Sequence, residues 1–152
     1  MSVEDRLQSL GLTLPTPATP LASYVPAVQT GNLVFTSGQL PTVGGELQRR
    51  GQVGDEVSPE EAYEDARTAV LNALAAVKAV VGDLDRVMRV VRVNGFVSSA
   101  LGFTDQPSVI NGASDLLVQL FGDAGQHSRA AIGVYELPRD APVEIDIIVE
   151  VA

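Results

Sequence analysis

Two long helices are predicted from apolar residues that recur every three or four positions. The first begins at the sequence SPEE, residues 58–61, where Ser58 and Glu61 form a capping box, and it ends at Gly82. Its apolar stripe is rich in alanine, so we expect it to pack closely against a sheet. The second is predicted within residues 105–125, DQPSVINGASDLLVQLFGDAG, with Pro107 near its start.

The strands are predicted from alternating apolar and polar residues and from runs of β-branched residues. Residues 24–41 read as a hairpin joined at the sequence TGN, and residues 84–98 as a valine-rich strand that places Arg89 and Arg92 on opposite faces. The stretches HSRAAIGVYEL and PVEIDIIVEV are predicted to form two final strands around the turn PRDA. Residues 42–57, with four glycines, are expected to form a mobile loop or a weak hairpin.

One domain over residues 1–152 accounts for these elements. It begins, over residues 1–21, with a short helix capped by Ser2 and a proline-rich extended lead-in. The remaining order, ββ–α–β–α–ββ, predicts an α+β sandwich in which one sheet carries both helices on one face.

Alternation in the last two strands singles out Arg129. If these strands form a hairpin, Arg129 and Glu144 lie on the face away from the helices, beside the small residues Ala131 and Gly133. Space next to an arginine suits a carboxylate ligand, which the planar guanidinium binds through two oxygens. The alternative is an ion pair with Glu150, which is nearly opposite in that register.

Composition and charge narrow the classes of function. The formal net charge of −9 makes a nucleic acid an unexpected partner. The chain has no cysteine, which suits a cytoplasmic location and excludes metal sites built from cysteine. Its longest apolar stretch is too short to cross a membrane, and its start lacks the apolar region of a signal peptide.

From Tyr24 onward the chain resembles the RidA (YjgF) family, also known as L-PSP endoribonuclease-like proteins. The matching segments, in order, are Y…GNLVFTSGQLP, EEAYEDARTAVLNALAAV, VVRVNGFV, SR and LPRDAPVEIDIIVEV. The resemblance implies a chorismate-mutase-like sandwich with one mixed sheet and two helices on one face. It also implies a homotrimer with a central β-barrel and clefts between subunits.

The resemblance also implies a chemistry. Members with the matching arginine are hydrolases of the 2-iminobutanoate/2-iminopropanoate deaminase type, which convert reactive enamines and imines such as 2-aminoacrylate to 2-oxo acids and ammonia. Fixing the carboxylate of an electrophilic imine and presenting a water supplies much of the catalysis. The resemblance therefore implies that neither a metal nor an organic cofactor is needed, and the sequence holds no cluster of metal ligands that would contradict this.

The family's site residues transfer to matching positions of this chain. The catalytic set that the resemblance implies is Arg129 to bind the carboxylate, Glu144 to orient or deprotonate water, and Ser37 of the loop that shapes the cleft. The binding set adds Tyr24, Gly38 and, as a weaker match, Asn111.

Departures from the family pattern mark a divergent subgroup and keep other functions open. Ala131 stands where a cysteine is frequent, and His127 stands where a proline is usual. One alternative is a trimer that binds a small carboxylate metabolite without turnover. Another is an endoribonuclease or translation inhibitor, against which the net charge of −9 argues.

Overall fold

Three α-helices, seven strands and three short 3-10 turns occupy the residues that the computed structural model describes, 1–17 and 23–152. The helices are α1 (Val3–Ser9), α2 (Pro59–Val81) and α3 (Gln106–Phe121). The strands are β1 (Ala27–Thr30), β2 (Leu33–Thr36), β3 (Thr42–Val43), β4 (Glu46–Leu47), β5 (Val87–Ser98), β6 (Ser128–Val134) and β7 (Val143–Val151). The predicted proline-rich lead-in falls partly on residues 18–22, which lie outside the described part of the chain.

The helix boundaries follow the local signals of the sequence. The Ser58 hydroxyl accepts a hydrogen bond from the Glu61 backbone N–H, and the Glu61 carboxylate accepts one from the Ser58 N–H, which completes the predicted capping box. Helix α2 stops at Gly82, whose φ of +89° favours glycine. Ser2 caps α1 in the same way as Ser58 caps α2.

The main sheet has the strand order β1-β2-β7-β5-β6 and is mixed, as the resemblance implied. Strands β5 and β6 are parallel, and every other neighbouring pair is antiparallel. Helices α2 and α3 pack on one face of this sheet around a shared apolar core, to which α1 contributes Val3 and Leu7. The α+β class and the layer arrangement predicted from the sequence are therefore confirmed, and the short β3–β4 ladder is the weak hairpin predicted within residues 42–57.

The predicted hairpin of the last two strands is wrong. Strand β5 lies between β6 and β7, and β6 pairs with β5 in parallel after the chain has passed through α3. In this register Arg129 lies beside Val93, which in turn lies beside the buried Ile147. Arg129 therefore shares the helix-covered face, whereas Glu144, paired with Phe96, lies on the opposite face.

The prediction for Arg89 and Arg92 also fails, because β5 is irregular. Register shifts on either side of Val90 place Arg89 opposite Glu150 and Arg92 opposite Ile148. Both partners point away from the helices, since they alternate with the buried Val149. The two arginines thus share one face.

The helix layer is packed at close range. A Cβ atom at Gly112 of α3 would lie 2.0 Å from the Tyr63 carbonyl oxygen of α2, so only glycine permits this approach of the two helices. Among the described residues, no helix combines the length and the apolar character needed to span a bilayer.

Candidate functional site

Arg129 lies on β6, an edge strand, and its guanidinium reaches back to α3. Nη1 donates to Asn111 Oδ1 at 2.8 Å and to Ser114 Oγ at 3.1 Å, and Nη2 donates to the Pro107 carbonyl at 3.3 Å. The structure thus brings together the predicted residues Arg129 and Asn111. The neighbouring small residues of β6 give α3 room to lie close to the strand, since a Cβ at Gly133 would already meet the side chain of Gln106.

The Arg129 cation has no acidic partner within the described chain. The predicted alternative, an ion pair with Glu150, does not form, because Glu150 lies across the sheet and accepts a hydrogen bond from Asn32. Nη2 carries a second hydrogen, and Nε donates to none of the described residues. This edge of the guanidinium can therefore bind a carboxylate through two hydrogen bonds.

Glu144 and Gly38 form a second group, on the face of the sheet without helices. A Cβ at Gly38 would lie 2.5 Å from Glu144 Oε2, so glycine is required for the carboxylate to lie against this loop. Burial raises the pKa of the Glu144 carboxyl, and the negative charge of Asp146 raises it further. A carboxyl that holds its proton more tightly is better suited to exchanging a proton near neutral pH.

The sequence reasoning missed the polar chain beside Glu144. Arg92 Nε donates to Asn94 Oδ1 at 2.9 Å, and Asn94 Nδ2 donates to Asp146 Oδ1 at 2.7 Å. Burial raises the pKa of Asp146, and the hydrogen bond from Asn94 opposes that shift. The signal was present in β7, where Glu144 and Asp146 alternate with buried residues and so had to share a face.

Tyr24 and Ser37 lie at the other edge of the sheet, next to β1. The Tyr24 side chain is 48% exposed, and the Ser37 hydroxyl donates to the Val25 carbonyl at 2.5 Å. Ser37 in this geometry ties the segment before β1 to the end of β2. Its predicted catalytic role is not supported by any contact with Arg129 or Glu144.

Ser114 is the residue beside Arg129 that the sequence reasoning did not select. It lies three positions after Asn111 on α3, so the two side chains share one helix face. Its hydroxyl contacts both Arg129 and the Nε2 atom of His127, the chain's only histidine. The i, i+3 spacing from Asn111 was the available signal.

Within one chain, the predicted site residues do not form a single cluster. Four strand spacings, about 19 Å, separate the β1 edge from the β6 edge. Arg129 and Glu144, moreover, lie on opposite faces of the sheet. Within residues 1–17 and 23–152, no three acidic or histidine side chains are placed to hold a metal ion.

Comparison with known proteins assigns the family. The model of the family described as "YjgF/chorismate_mutase-like, putative endoribonuclease" matches residues 4–149. The chain belongs to the RidA (YjgF) family. The resemblance noted from its motifs is therefore confirmed.

Individual RidA-family relatives cover nearly the whole chain. Protein TCP17 of Trypanosoma cruzi is 45% identical over 151 residues, which cover 97% of this chain and 93% of that protein. The 2-iminobutanoate/2-iminopropanoate deaminase of Dermatophagoides farinae is 31% identical over 138 residues, covering 91% of this chain and 93% of the relative. The crystal structure of protein Atu1372 of Agrobacterium tumefaciens, of unknown function, is 46% identical and superposes with a TM-score of 0.93, over 99% of this chain and 92% of the other.

Proposed function

We propose that the protein is an enamine/imine deaminase that hydrolyses small 2-imino acids to 2-oxo acids and ammonia. The observation that carries this proposal is Arg129, a half-buried cation with no acidic partner in the described chain and a free edge for a carboxylate. The D. farinae relative bears the name of a deaminase of such acids, which supports the same substrate class.

Contacts from α3 orient Arg129 before any ligand binds. Three hydrogen bonds to Asn111, Ser114 and the Pro107 carbonyl hold the guanidinium plane, so little side-chain freedom remains to be lost on binding. A bound 2-imino acid would present its electrophilic carbon at a defined distance from the guanidinium. Water addition to that carbon then needs one group that accepts a proton.

We further propose that Glu144 supplies this group across a subunit boundary of a homotrimer. In one chain Glu144 lies on the opposite face of the sheet from Arg129, and Tyr24 lies at the opposite edge. The face that carries Glu144 also exposes apolar side chains, including Val28 (54%), Phe35 (41%) and Ile132 (48%), which association between copies would bury. The clefts between subunits that the family resemblance implies would bring these separate groups together.

The test is an assay of 2-aminoacrylate breakdown coupled to detection of pyruvate and ammonia. We expect R129A to lower kcat/KM by about 100-fold or more, and R129K to be nearly as damaging, because one ammonium does not reproduce the bidentate fork. The matched control is R67A, since Arg67 is an arginine of α2 whose side chain hydrogen-bonds to Gln119, away from Arg129 and Glu144. If R129A is as active as the wild type, Arg129 does not bind the substrate in the reaction and the proposed mechanism is wrong.

Mixing two inactive variants tests the contribution of two subunits to one site. If Arg129 and Glu144 act from different copies, refolding R129A together with E144Q restores roughly a quarter of the sites by random association. If both residues act within one chain, the mixture stays inactive. Sedimentation of the wild type gives the oligomeric state independently.

Two outcomes would indicate the other functions that the sequence leaves open. Binding of pyruvate that depends on Arg129, without imine hydrolysis, would indicate a metabolite-binding protein. RNA cleavage that disappeared in the site variants would indicate a ribonuclease, although the net charge of −9 opposes RNA binding.

A further inference from the structure

Ser114 and His127 form a hydrogen-bonded pair, of which the deaminase proposal uses only Ser114, as a support for Arg129. His127 Nδ1 lies 2.6 Å from the Gly125 carbonyl oxygen, and Nε2 lies 2.8 Å from Ser114 Oγ. Because a carbonyl oxygen only accepts, Nδ1 of the neutral ring must carry the hydrogen, and Nε2 is left with its lone pair. The Ser114 hydroxyl therefore donates to Nε2, as a hydroxyl does to a general base.

Arg129 completes the surroundings of this hydroxyl. Its Nη1 donates to Ser114 Oγ at 3.1 Å, so the oxygen that loses a proton to His127 lies against a positive charge. A hydroxyl in contact with a base, and a base oriented by a third group, is the arrangement of an activated nucleophile. Here the orienting group is the Gly125 carbonyl.

Asn111 places a further donor near the same point. Its Oδ1 accepts from Arg129 at 2.8 Å, which leaves the two N–H groups of Nδ2 without a partner among the described residues. Asn111 precedes Ser114 by one helical turn and is exposed. Its amide can therefore donate to an oxyanion that forms on a substrate carbonyl attacked by Ser114.

We propose that Ser114 is a nucleophile and that this site hydrolyses esters of small acids which also carry a free carboxylate. Arg129 binds the carboxylate through its Nε and Nη2 edge. Ser114 Oγ adds to the ester carbonyl carbon while the hydroxyl proton passes to His127 Nε2. The C–O bond to the alcohol then breaks, and the alcohol takes that proton.

Water completes the cycle. It adds to the acyl carbon as His127 Nε2 takes one of its protons, the bond to Ser114 Oγ breaks, and Oγ recovers the proton from His127. This activity is a different reaction from imine hydrolysis at the same arginine, and it needs neither Glu144 nor a second subunit.

Covalent labelling tests the nucleophile directly. We expect a fluorophosphonate probe to add one label per chain on Ser114, identified by peptide mass spectrometry, and H127A and H127Q to lower the rate at least about 10-fold. The control is S108A, which removes a serine of the same helix whose hydroxyl contacts Asp105 instead of a histidine. Labelling at another residue, or at Ser114 with equal rates in folded His127 variants, would overturn the proposal.

Turnover tests the substrate class. We expect the enzyme to hydrolyse mono(4-nitrophenyl) adipate, above its spontaneous rate, at least about 10-fold faster than neutral 4-nitrophenyl butyrate, because only the former offers a carboxylate to Arg129. Hydrolysis should disappear in S114A and persist in S108A. Equal hydrolysis by wild type and S114A contradicts the proposal.

Replacing Ser114 by cysteine tests whether a small molecule can reach position 114 in the folded protein. The chain has no cysteine, so S114C introduces its single thiol. We expect iodoacetamide to alkylate this thiol in the folded protein, and more slowly when H127A is added, because the base that favours the thiolate is then absent. Failure to react until the protein is unfolded would show that no ligand reaches position 114, and would overturn the proposal.

Discussion

The two faces of the five-stranded sheet differ in how far a single chain completes them. The helix-covered face is closed: Val34, Val93, Ile145 and Ile147 are 0% exposed beneath α2 and α3. The open face carries half-buried acids and large apolar side chains that no other element of the described chain covers. Over β2, β7 and β5 the helix-covered face thus builds the core, and only its β6 edge, where Arg129 lies, is left partly open. The open face is suited along its whole width to contacts with another molecule.

The acidic side chains on the two sides of the sheet differ in whether the chain itself supplies a cation to pair with them. In the helix layer, the buried Asp65 is paired with Arg49, Nη1 to Oδ1 at 2.6 Å, although burial still raises the pKa of the Asp65 carboxyl. On the open face, Glu144 forms no ion pair with any described residue, and burial raises its pKa. Acids without a cation are more easily recruited for proton transfer than acids held in a pair.

The largest expected difference between the faces is in unfolding free energy, and it is measured by truncating two adjacent residues of β7. I147A should cost about 2–5 kcal/mol of unfolding free energy because it leaves a cavity under the helices, whereas I148A should cost about 1 kcal/mol or less in the isolated chain. Urea denaturation at low protein concentration measures both. If copies of the chain cover the open face, I148A should also weaken association in sedimentation experiments. Equal costs for the two variants in the isolated chain would contradict the distinction between the faces.

Gly112 of α3 and Gly133 of β6 should give a smaller difference in unfolding free energy. G112A should cost about 1–3 kcal/mol, since the new methyl group meets the Tyr63 backbone, although alanine favours a helix by about 1 kcal/mol. G133A is the matched control, because the new methyl group meets the Gln106 side-chain amide, which can move. Thermal unfolding should show a clear loss for G112A and less than about 1 kcal/mol for G133A. If G112A unfolds like the wild type, the close approach of α2 and α3 at Gly112 is contradicted.

The smallest expected effect is the change in thermal stability caused by E144Q, and its size depends on pH. Its raised pKa means that the native state keeps this proton to higher pH than the unfolded chain, so native stability falls as pH rises from the ordinary carboxyl range through the raised pKa. E144Q removes this loss and should raise Tm by about 2 °C at neutral pH, with the gain disappearing in acid. The control is E64Q, at an exposed glutamate of α2. A destabilising E144Q at neutral pH would show that the charged carboxylate is stabilised by the fold.

The local elements could be predicted because their causes are local. The Ser58–Glu61 capping box and Gly82 determine the bounds of α2 whatever lies around it, and alternation in β7 correctly assigned Ile145 to the core and Glu144 to the other face. Motif order was sufficient to recognise the family. That resemblance also named Arg129 and, as a weaker match, Asn111 as residues of one site, but it did not predict the hydrogen bond between them.

The face of β6 could not be predicted from the same alternation. Placing Arg129, Ala131 and Gly133 on the face away from the helices amounts to placing the larger apolar set, Ala130, Ile132 and Val134, in the core, yet Ile132 is 48% exposed. The face toward α3 carries the small residues instead, because the helix lies too close for larger ones, as the contact of Gly133 with Gln106 shows. The hydrophobicity of the residues in β6 does not reveal how closely α3 lies to that strand.

The sequence by itself determined the helices, the strands, the faces of β7 and the residue types available for chemistry. Those properties depend on neighbours within a few positions along the chain. Only the tertiary structure decided that β5 separates β6 from β7, that Arg129 and Glu144 lie on opposite faces, and that Ser114 meets His127. Strand order depends on the competition between pairings of distant segments, and no local pattern records which pairing has the lower free energy.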